Sequence, residues 1–287
     1  MSRRVAARTR ALAKINLSLR ILGTHADGYH ELRTVFQSLA LHDVLIARPA
    51  PGPLTLTTDD AQCPADGSNL VMRAATRLWR AAGRRGTPSG VALHLVKRIP
   101  MQAGLGGGSS DAAAALRLLA HVWSLSIAEP ALHAIARELG ADVAYFLVGG
   151  TALGAGRGEV LYPLEERPAQ SVVLVQPPFG VSTREAYGWW DDAHAGGGLA
   201  TGEEHGNDLE APVVGHHPEI GRIVKQLRRA GAVSAAMSGS GSVVFGLFPD
   251  QGAALDAADL VRGRGRTVLT TRTVSRRAYG RLTAISR

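Results

Sequence analysis

The sequence predicts an α+β chain of two domains, and three observations carry that expectation. Alternating apolar and polar residues mark strands through much of the first hundred positions. A glycine-rich run then leads straight into an Ala/Leu helix, and beyond Pro163 strands alternate with helices, as in a helical layer packed on one side of a sheet. A length of 287 residues fits about two domains at ~150 residues each.

Ile15, Leu17, Leu19 and Ile21 alternate with Lys14, Asn16, Ser18 and Arg20. This is the period of a half-buried strand, with Lys14 and Asn16 on one face opposite the apolar row. The first acidic residue is Asp27, so residues 1–26 have the composition of an Arg-rich targeting peptide, but the strand periodicity assigns them to the folded protein. Residues 23–31 read as a turn around Asp27-Gly28, and residues 35–46 and 54–58 as strands. A Pro/Asp/Gly loop runs to Gly67, after which Asn69 opens an amphipathic helix to about Ala82, with Leu70, Ala74, Leu78 and Ala81 on one side. Residues 91–99 alternate again and end at Pro100; helices follow over 112–123 and 130–139, the latter stopped by Gly140, and Gly149-Gly150 makes a turn. In the second half, 172–176 is a short buried strand, 193–206 a Gly/His-rich loop and 220–229 a helix. Residues 235–249 form strand–turn–strand around Ser238-Gly239-Ser240-Gly241-Ser242, and a helix over 251–261 and a strand over 268–274 close the chain.

With 45% hydrophobic and 20% charged residues, disordered and fibrous classes are excluded. No uncharged apolar stretch approaches the ~20 residues of a membrane span; the nearest, 112–128, is broken by Arg117 and His121. Cys63 is the single cysteine and has no internal disulfide partner, which points to a reducing, cytoplasmic setting. No Cys/His spacing of metal-binding type occurs. The net charge of +8 comes from scattered basic residues, with short clusters only at Arg3-Arg4 and over 262–266, and aromatics are 5%. That distribution suits an enzyme for anionic metabolites better than a nucleic-acid binder, which needs stacking platforms.

The strongest chemical signal is Pro100-Met101-Gln102-Ala103-Gly104-Leu105-Gly106-Gly107-Gly108-Ser109-Ser110-Asp111. Backbone N–H groups without side chains can converge on an anion at a helix N-terminus, where the dipole and the unpaired donors both favour phosphate. Ser109 and Ser110 could cap the helix or add hydroxyl donors. A flexible serine-capped turn is the plainer alternative, but three successive glycines over 106–108 cost conformational entropy without a ligand to approach. Walker A is excluded because no lysine follows Gly108; the dinucleotide fingerprint fails because its sixth position is Ser109; no protein-kinase motifs follow.

Residues 100–113 resemble the second motif of the GHMP kinases (galactose, homoserine, mevalonate and phosphomevalonate kinases). Ala13-Lys14-Ile15-Asn16-Leu17 with Asp27-Gly28-Tyr29-His30-Glu31-Leu32 resembles the first motif of members acting on a cytidine diphosphate-linked methylerythritol in non-mevalonate isoprenoid synthesis. Gly140-Ala141-Asp142-Val143 and Met237 to Phe245 match further blocks in order. The resemblance implies an ATP-dependent kinase with a ribosomal-protein-S5-like domain over 1–163 and a ferredoxin-like α/β sandwich over 164–287, the two ligands meeting in the cleft between them. It makes Asp142 the catalytic base and Lys14 its neighbour. Asn69, Lys97 and residues 100–110 fall on the ATP side. Asn16, Tyr29, His30, Phe36, Asp142, Thr183, Tyr187, Gly239 and Ser240 fall on the substrate side, the three aromatics around cytosine and His30 bonded to it.

Read from residue type alone, Asp142 could equally cap a helix after Gly140, Phe36 could be strand core, Lys97 a solvated strand end, and Gly239 a hairpin glycine. Three positions depart from the family pattern: Gln102 replaces a small residue, Ala144 a proline and Tyr145 a phenylalanine. The glycine-rich helix offers no acidic residue beyond Asp111 as a metal ligand, so Mg2+ is expected to arrive with ATP and no protein metal site is expected. No membrane or nucleic-acid partner is expected, and the assembly is expected to be a monomer or homodimer. Homoserine or mevalonate kinase is the alternative within the fold; a silent binding protein would not need both Asp142 and Lys14.

Overall fold

The computed structural model describes residues 6–25, 28–194, 206–263 and 265–287. Asp27, Arg3-Arg4, Arg264 and nearly all of the expected 193–206 loop lie outside them.

Two long strands, β1 (Ala7–Thr24) and β2 (His30–Pro53), form the hairpin that organises the first sheet. β3 (Thr55–Thr58) follows, then helix α1 (Leu70–Ala81), β4 (Ser89–Val96), α2 (Gly107–Val122), α3 (Glu129–Leu139), α4 (Ala141–Val148), β5 (Thr151–Ala155) and β6 (Val160–Pro163). The sheet order is β3-β4-β2-β5-β6, with β1 also paired to β2. The four helices cover one face, and their Ala- and Leu-rich sides close a core that includes Leu78, Leu93, Leu116, Leu119 and Phe146. In α1 the buried row is Val71, Ala74, Ala75, Leu78 and Trp79; Ala81, expected inside, is exposed.

The second sheet contains β7 (Ser171–Gln176), β8 (Ser234–Met237), β9 (Val244–Phe248) and β10 (Thr267–Arg272) in the order β10-β7-β9-β8, antiparallel throughout. Between β7 and β8 run α5 (Thr183–His194), α6 (Glu210–His216) and α7 (Pro218–Arg229); α8 (Gln251–Val261) links β9 to β10. This is the βαββαβ order of a ferredoxin-like sandwich. Its helices bury one face of the sheet.

The other face of the second sheet packs on the first hairpin, where Ala13, Ile15 and Leu39 meet Val172, Leu174, Phe245 and Leu247. That contact explains a departure from the sequence reading. A half-buried β1 would leave Lys14, Asn16 and Ser18 open, yet all three are buried along with Leu12, Ala13 and Ile15. Register shifts at Leu12/Lys14 and Asn16/Ser18 break the simple alternation at this point.

After β10 the chain returns to the first sheet, where α9 (Arg276–Leu282) packs beneath β1. The Tyr279 hydroxyl donates to Phe146 O at 2.7 Å, and Arg117 Nη2 donates to Leu147 O at 2.6 Å. Both bonds satisfy carbonyls that the last turn of α4 leaves without helical partners. Burial pushes the Tyr279 phenol up to about 12, so it acts as a neutral donor. Tyr279→Phe is expected to lower stability by about 1–3 kcal/mol, because it strands a buried carbonyl. Urea unfolding measures this, and an unchanged midpoint would contradict the capping role.

Candidate active site

A cleft of about 1790 Å3 opens between the two sheets. Single small-molecule pockets hold roughly 300–1,000 Å3, so this one has room for two ligands side by side.

The β1 bulges bracket Lys14 and Asn16, and both side chains line the cleft. Lys14 Nζ donates to Asn16 Oδ1 at 2.6 Å and stands 3.3 Å from Asp142 Oδ2. Asn16 Nδ2 donates to Thr34 Oγ1 at 2.7 Å, and that hydroxyl donates to Ser18 O at 2.7 Å. The chain of donors fixes the amide with its oxygen toward the ammonium. The Lys14 side chain is 4% exposed and that of Asp142 34%. The cation is therefore enclosed while the carboxylate faces the open cleft. Asp142 lies in the first turn of α4, after Gly140, where the helix dipole favours an anion. Burial first, and the Asp142 charge second, push the Tyr187 phenol well above its ordinary range, leaving a neutral hydroxyl beside the carboxylate.

Across the cleft, the glycine-rich run is less of a loop than its composition suggests. α2 already begins at Gly107, with Gly106 as its N-cap in the left-handed region at φ 70° and no side-chain cap. Helix geometry leaves the N–H groups of Gly107, Gly108 and Ser109 without intrahelical acceptors; the first return bond is Ser110 N to Gly106 O, 2.9 Å. Two glycines are required sterically. A β-carbon on Gly106 would sit 2.8 Å from the Phe146 ring, and one on Gly104 would overlap the Ser238 carbonyl. One on Gly108 would meet only Leu70 Cδ1 at 3.8 Å. Pro100, Met101, Gln102, Ala103, Gly104, Leu105 and Ser109 also line the cleft. Gln102 adopts φ 50° and is exposed, and a β-carbon on Gly180 would lie 3.4 Å from its Oε1.

Several expectations are corrected here. Ser110 is neither cap nor phosphate donor: it is buried, and its hydroxyl donates to Leu12 O at 2.7 Å. Lys97 is no solvated strand end. Its ammonium donates to Asp43 Oδ2 at 2.5 Å and Asp111 Oδ2 at 2.8 Å, so although the residue lines the cleft its charge is committed. Asn69 lines the cleft as expected, with its amide accepting from Val71 N as the α1 cap and donating to Pro64 O at 2.6 Å. Phe36 is 1% exposed and stacked on Tyr145 at 4.7 Å, with Lys14 Nζ 5.5 Å from its ring centre. It floors the cleft and offers no free face for stacking. The Tyr145 hydroxyl bonds Ser38 Oγ and Gly150 O.

On the opposite rim Tyr29 is exposed beneath the Arg157 guanidinium, 3.7 Å from its ring centre. His30 stacks on Tyr187 at 4.7 Å and bonds Asp191 Oδ1 through Nε2 at 2.7 Å. Thr183 and Ser240 hydroxyls meet at 3.1 Å, and a β-carbon on Gly239 would lie 3.2 Å from Asn16 Oδ1. Tyr29, His30, Thr183, Tyr187, Gly239 and Ser240 thus share one end of the cleft with Asp142. Asp191 and the N-terminus of α5 were missed. The Ser182-x-x-Glu185 spacing, a reciprocal capping box with bonds of 3.2 Å each way, would have found that helix.

The model described as GHMP kinases N terminal domain matches residues 69–150, and that for GHMP kinases C terminal matches 194–266. A 4-diphosphocytidyl-2-C-methyl-D-erythritol kinase from Pelotomaculum thermopropionicum is 44% identical over 93% of this chain and 98% of its own. One from Deinococcus radiodurans is 42% identical over 86% of each. A crystal structure of 4-(cytidine 5'-diphospho)-2C-methyl-D-erythritol kinase superposes with TM-score 0.78 at 37% identity, covering 93% of this chain and 98% of that one. A homoserine kinase from Cytophaga hutchinsonii, at 18% identity, TM-score 0.68 and 96% coverage of both chains, shares the fold.

The Asp43–Lys97–Asp111 cluster sets a pH dependence. Burial first, and the Asp43 charge second, raise the Asp111 carboxyl to about 8 against the pull of Lys97. An unfolded chain releases that proton near ~4, so between about 4 and 8 the folded state binds more protons and this group removes stability as pH rises. Asp111→Asn is expected to show a smaller fall in Tm between about pH 5 and pH 8 than the wild type. Equal falls by calorimetry would contradict the assignment.

Proposed function

The chain belongs to the 4-diphosphocytidyl-2-C-methyl-D-erythritol kinases of the GHMP family, and from that membership and the cleft geometry we propose how its residues divide the work. It is an ATP-dependent small-molecule kinase. The reaction transfers the γ-phosphoryl group of ATP to the free 2-hydroxyl of the cytidine diphosphate-linked methylerythritol. In our reading Asp142 accepts the hydroxyl proton and the alcohol oxygen attacks the γ-phosphorus. The bond from that phosphorus to the β–γ bridging oxygen then breaks, and ADP leaves. Lys14 orients the carboxylate and offsets charge developing on the phosphoryl oxygens.

The observation that carries this reading is the 3.3 Å Lys14–Asp142 pair, with its carboxylate open to a cleft that the N-terminus of α2 also enters. The N–H groups of residues 107–109 would hold the triphosphate. Tyr29 and Tyr187 would flank the cytosine, with His30, oriented by Asp191, at its edge. Thr183, Gly239 and Ser240 would contact the remainder of the acceptor. Among the described residues no group of three or more His, Cys, Asp or Glu side chains could hold a metal, and Asp111 is already bonded to Lys97. In this reading Mg2+ would arrive on the ATP phosphates.

Asp142→Asn is expected to lower kcat by roughly 10²–10⁴-fold, the usual contribution of a general base, while ATP affinity by calorimetry stays near wild type. Retained turnover would remove the base assignment. Gly108→Val tests the cradle, since this position has space for a side chain in the free protein. The variant should fold normally and raise the KM for ATP by about tenfold or more, the effect of losing at least one charge-assisted hydrogen bond. An unchanged KM for ATP would mean that the triphosphate binds elsewhere.

A further inference from the structure

We infer that Asn207 is a positioning residue, one that holds the turn of residues 238–240 in register with Lys14 and Asn16 across the two sheets. It sits just ahead of α6, buried and outside the cleft lining. Its backbone belongs to β1: Leu19 N donates to Gly206 O at 3.0 Å, Asp208 N donates to Leu19 O at 2.9 Å, and Leu19 and Asn207 form a parallel bridge. Its side chain belongs to the second sheet. Nδ2 donates to Met237 O at 2.8 Å and to Gly239 O at 2.7 Å, while Oδ1 accepts from Leu209 N at 3.0 Å. Both amide hydrogens and the carbonyl are used, so the side chain has one orientation.

The bonded turn is the one that presses on the reacting groups. The position a β-carbon would take on Gly239 is 3.2 Å from Asn16 Oδ1 and 3.5 Å from Lys14 Nζ. A displacement of the turn would therefore move directly against that pair. Ser238 supplies a second tie: its hydroxyl donates to Gly104 O at 2.9 Å and accepts from Asn16 N at 3.3 Å. Asn207 thus couples the acceptor end of the cleft to the strand bearing Lys14, and Ser238 couples it to the glycine-rich run. A misplacement of about 1 Å away from the chemistry can cost 10²-fold in rate.

The inference rests on the proposed roles of Lys14 and Asp142, and its neighbour provides the control. Asp208 accepts from Ile21 N at 2.8 Å and pairs with Arg20 at 3.0 Å. It anchors the same strand but makes no bond to the turn. Asn207→Ala and Asn207→Asp are expected to lower kcat by about 10–100-fold with the KM for ATP unchanged, because neither side chain can donate to two carbonyls. Asp208→Asn is expected to lower Tm and keep kcat. If Asn207→Ala does not fold, Asn207→Ser keeps an acceptor for Leu209 N and gives the same reading. Wild-type kcat in the Asn207 variants, or a kcat loss in the variants of both Asn207 and Asp208 that tracks Tm, would overturn the inference. Asp142→Asn in the same assay separates the two readings. Full turnover there removes the base assignment; loss there with full turnover in Asn207→Ala removes only the positioning role.

Discussion

A lysine ammonium taken out of water must find anionic and carbonyl partners, and in this protein the enclosure of Lys14 organises the rest. Packing the second sheet on the β1–β2 hairpin buries the side chain almost completely. Asn16 Oδ1 and Asp142 are what make that burial tolerable. The pair is asymmetric in its exposure, and the proposed mechanism uses that asymmetry. An enclosed cation holds its place, while the half-open carboxylate can meet a ligand. The N-terminus of α4, the bulges of β1 and the turn at Gly239 all converge on this pair.

The same fold aims a second helix N-terminus into the cleft. In the proposed reading α2 supplies backbone donors for phosphate, and its next turn carries Asp111, whose negative charge would repel it. The Lys97 ammonium bonded to Asp111, and the burial that raises the Asp111 carboxyl, limit that conflict. With the lysine charge committed to this cluster, attraction for a triphosphate must come mainly from backbone amides and the helix dipole. That division explains why glycines, and no lysine, crowd the approach to α2.

Local order was the legible part of the sequence. The helix at Gln251–Val261 and the end of α3 at Gly140 follow from periodicity and stop signals. Composition and motif order single out the glycine-rich run and Asp142, and the fold brings both to one cleft. What escaped depends on packing between distant segments. Lys14, Asn16 and Ser18 looked like an open polar row because nothing local reveals that a second sheet covers them. Ser110 looked like a cap, but α2 starts three residues earlier and turns it toward Leu12. Phe36 fitted a stacking role until Tyr145 and Lys14 occupied its faces. Asn207 carries no local signal for its tie to the turn, since the bonds its amide donates join residues 30 and 32 positions away.

The most direct test of this account is the position of the acceptor hydroxyl in a crystal of the protein with a non-hydrolysable ATP analogue and the cytidine diphosphate-linked alcohol. The account predicts that oxygen about 3 Å from a carboxylate oxygen of Asp142, with Lys14 Nζ on the same side and the γ-phosphate in line behind it. An acceptor oxygen seated beyond reach of Asp142, with another side chain poised to take its proton, would contradict it.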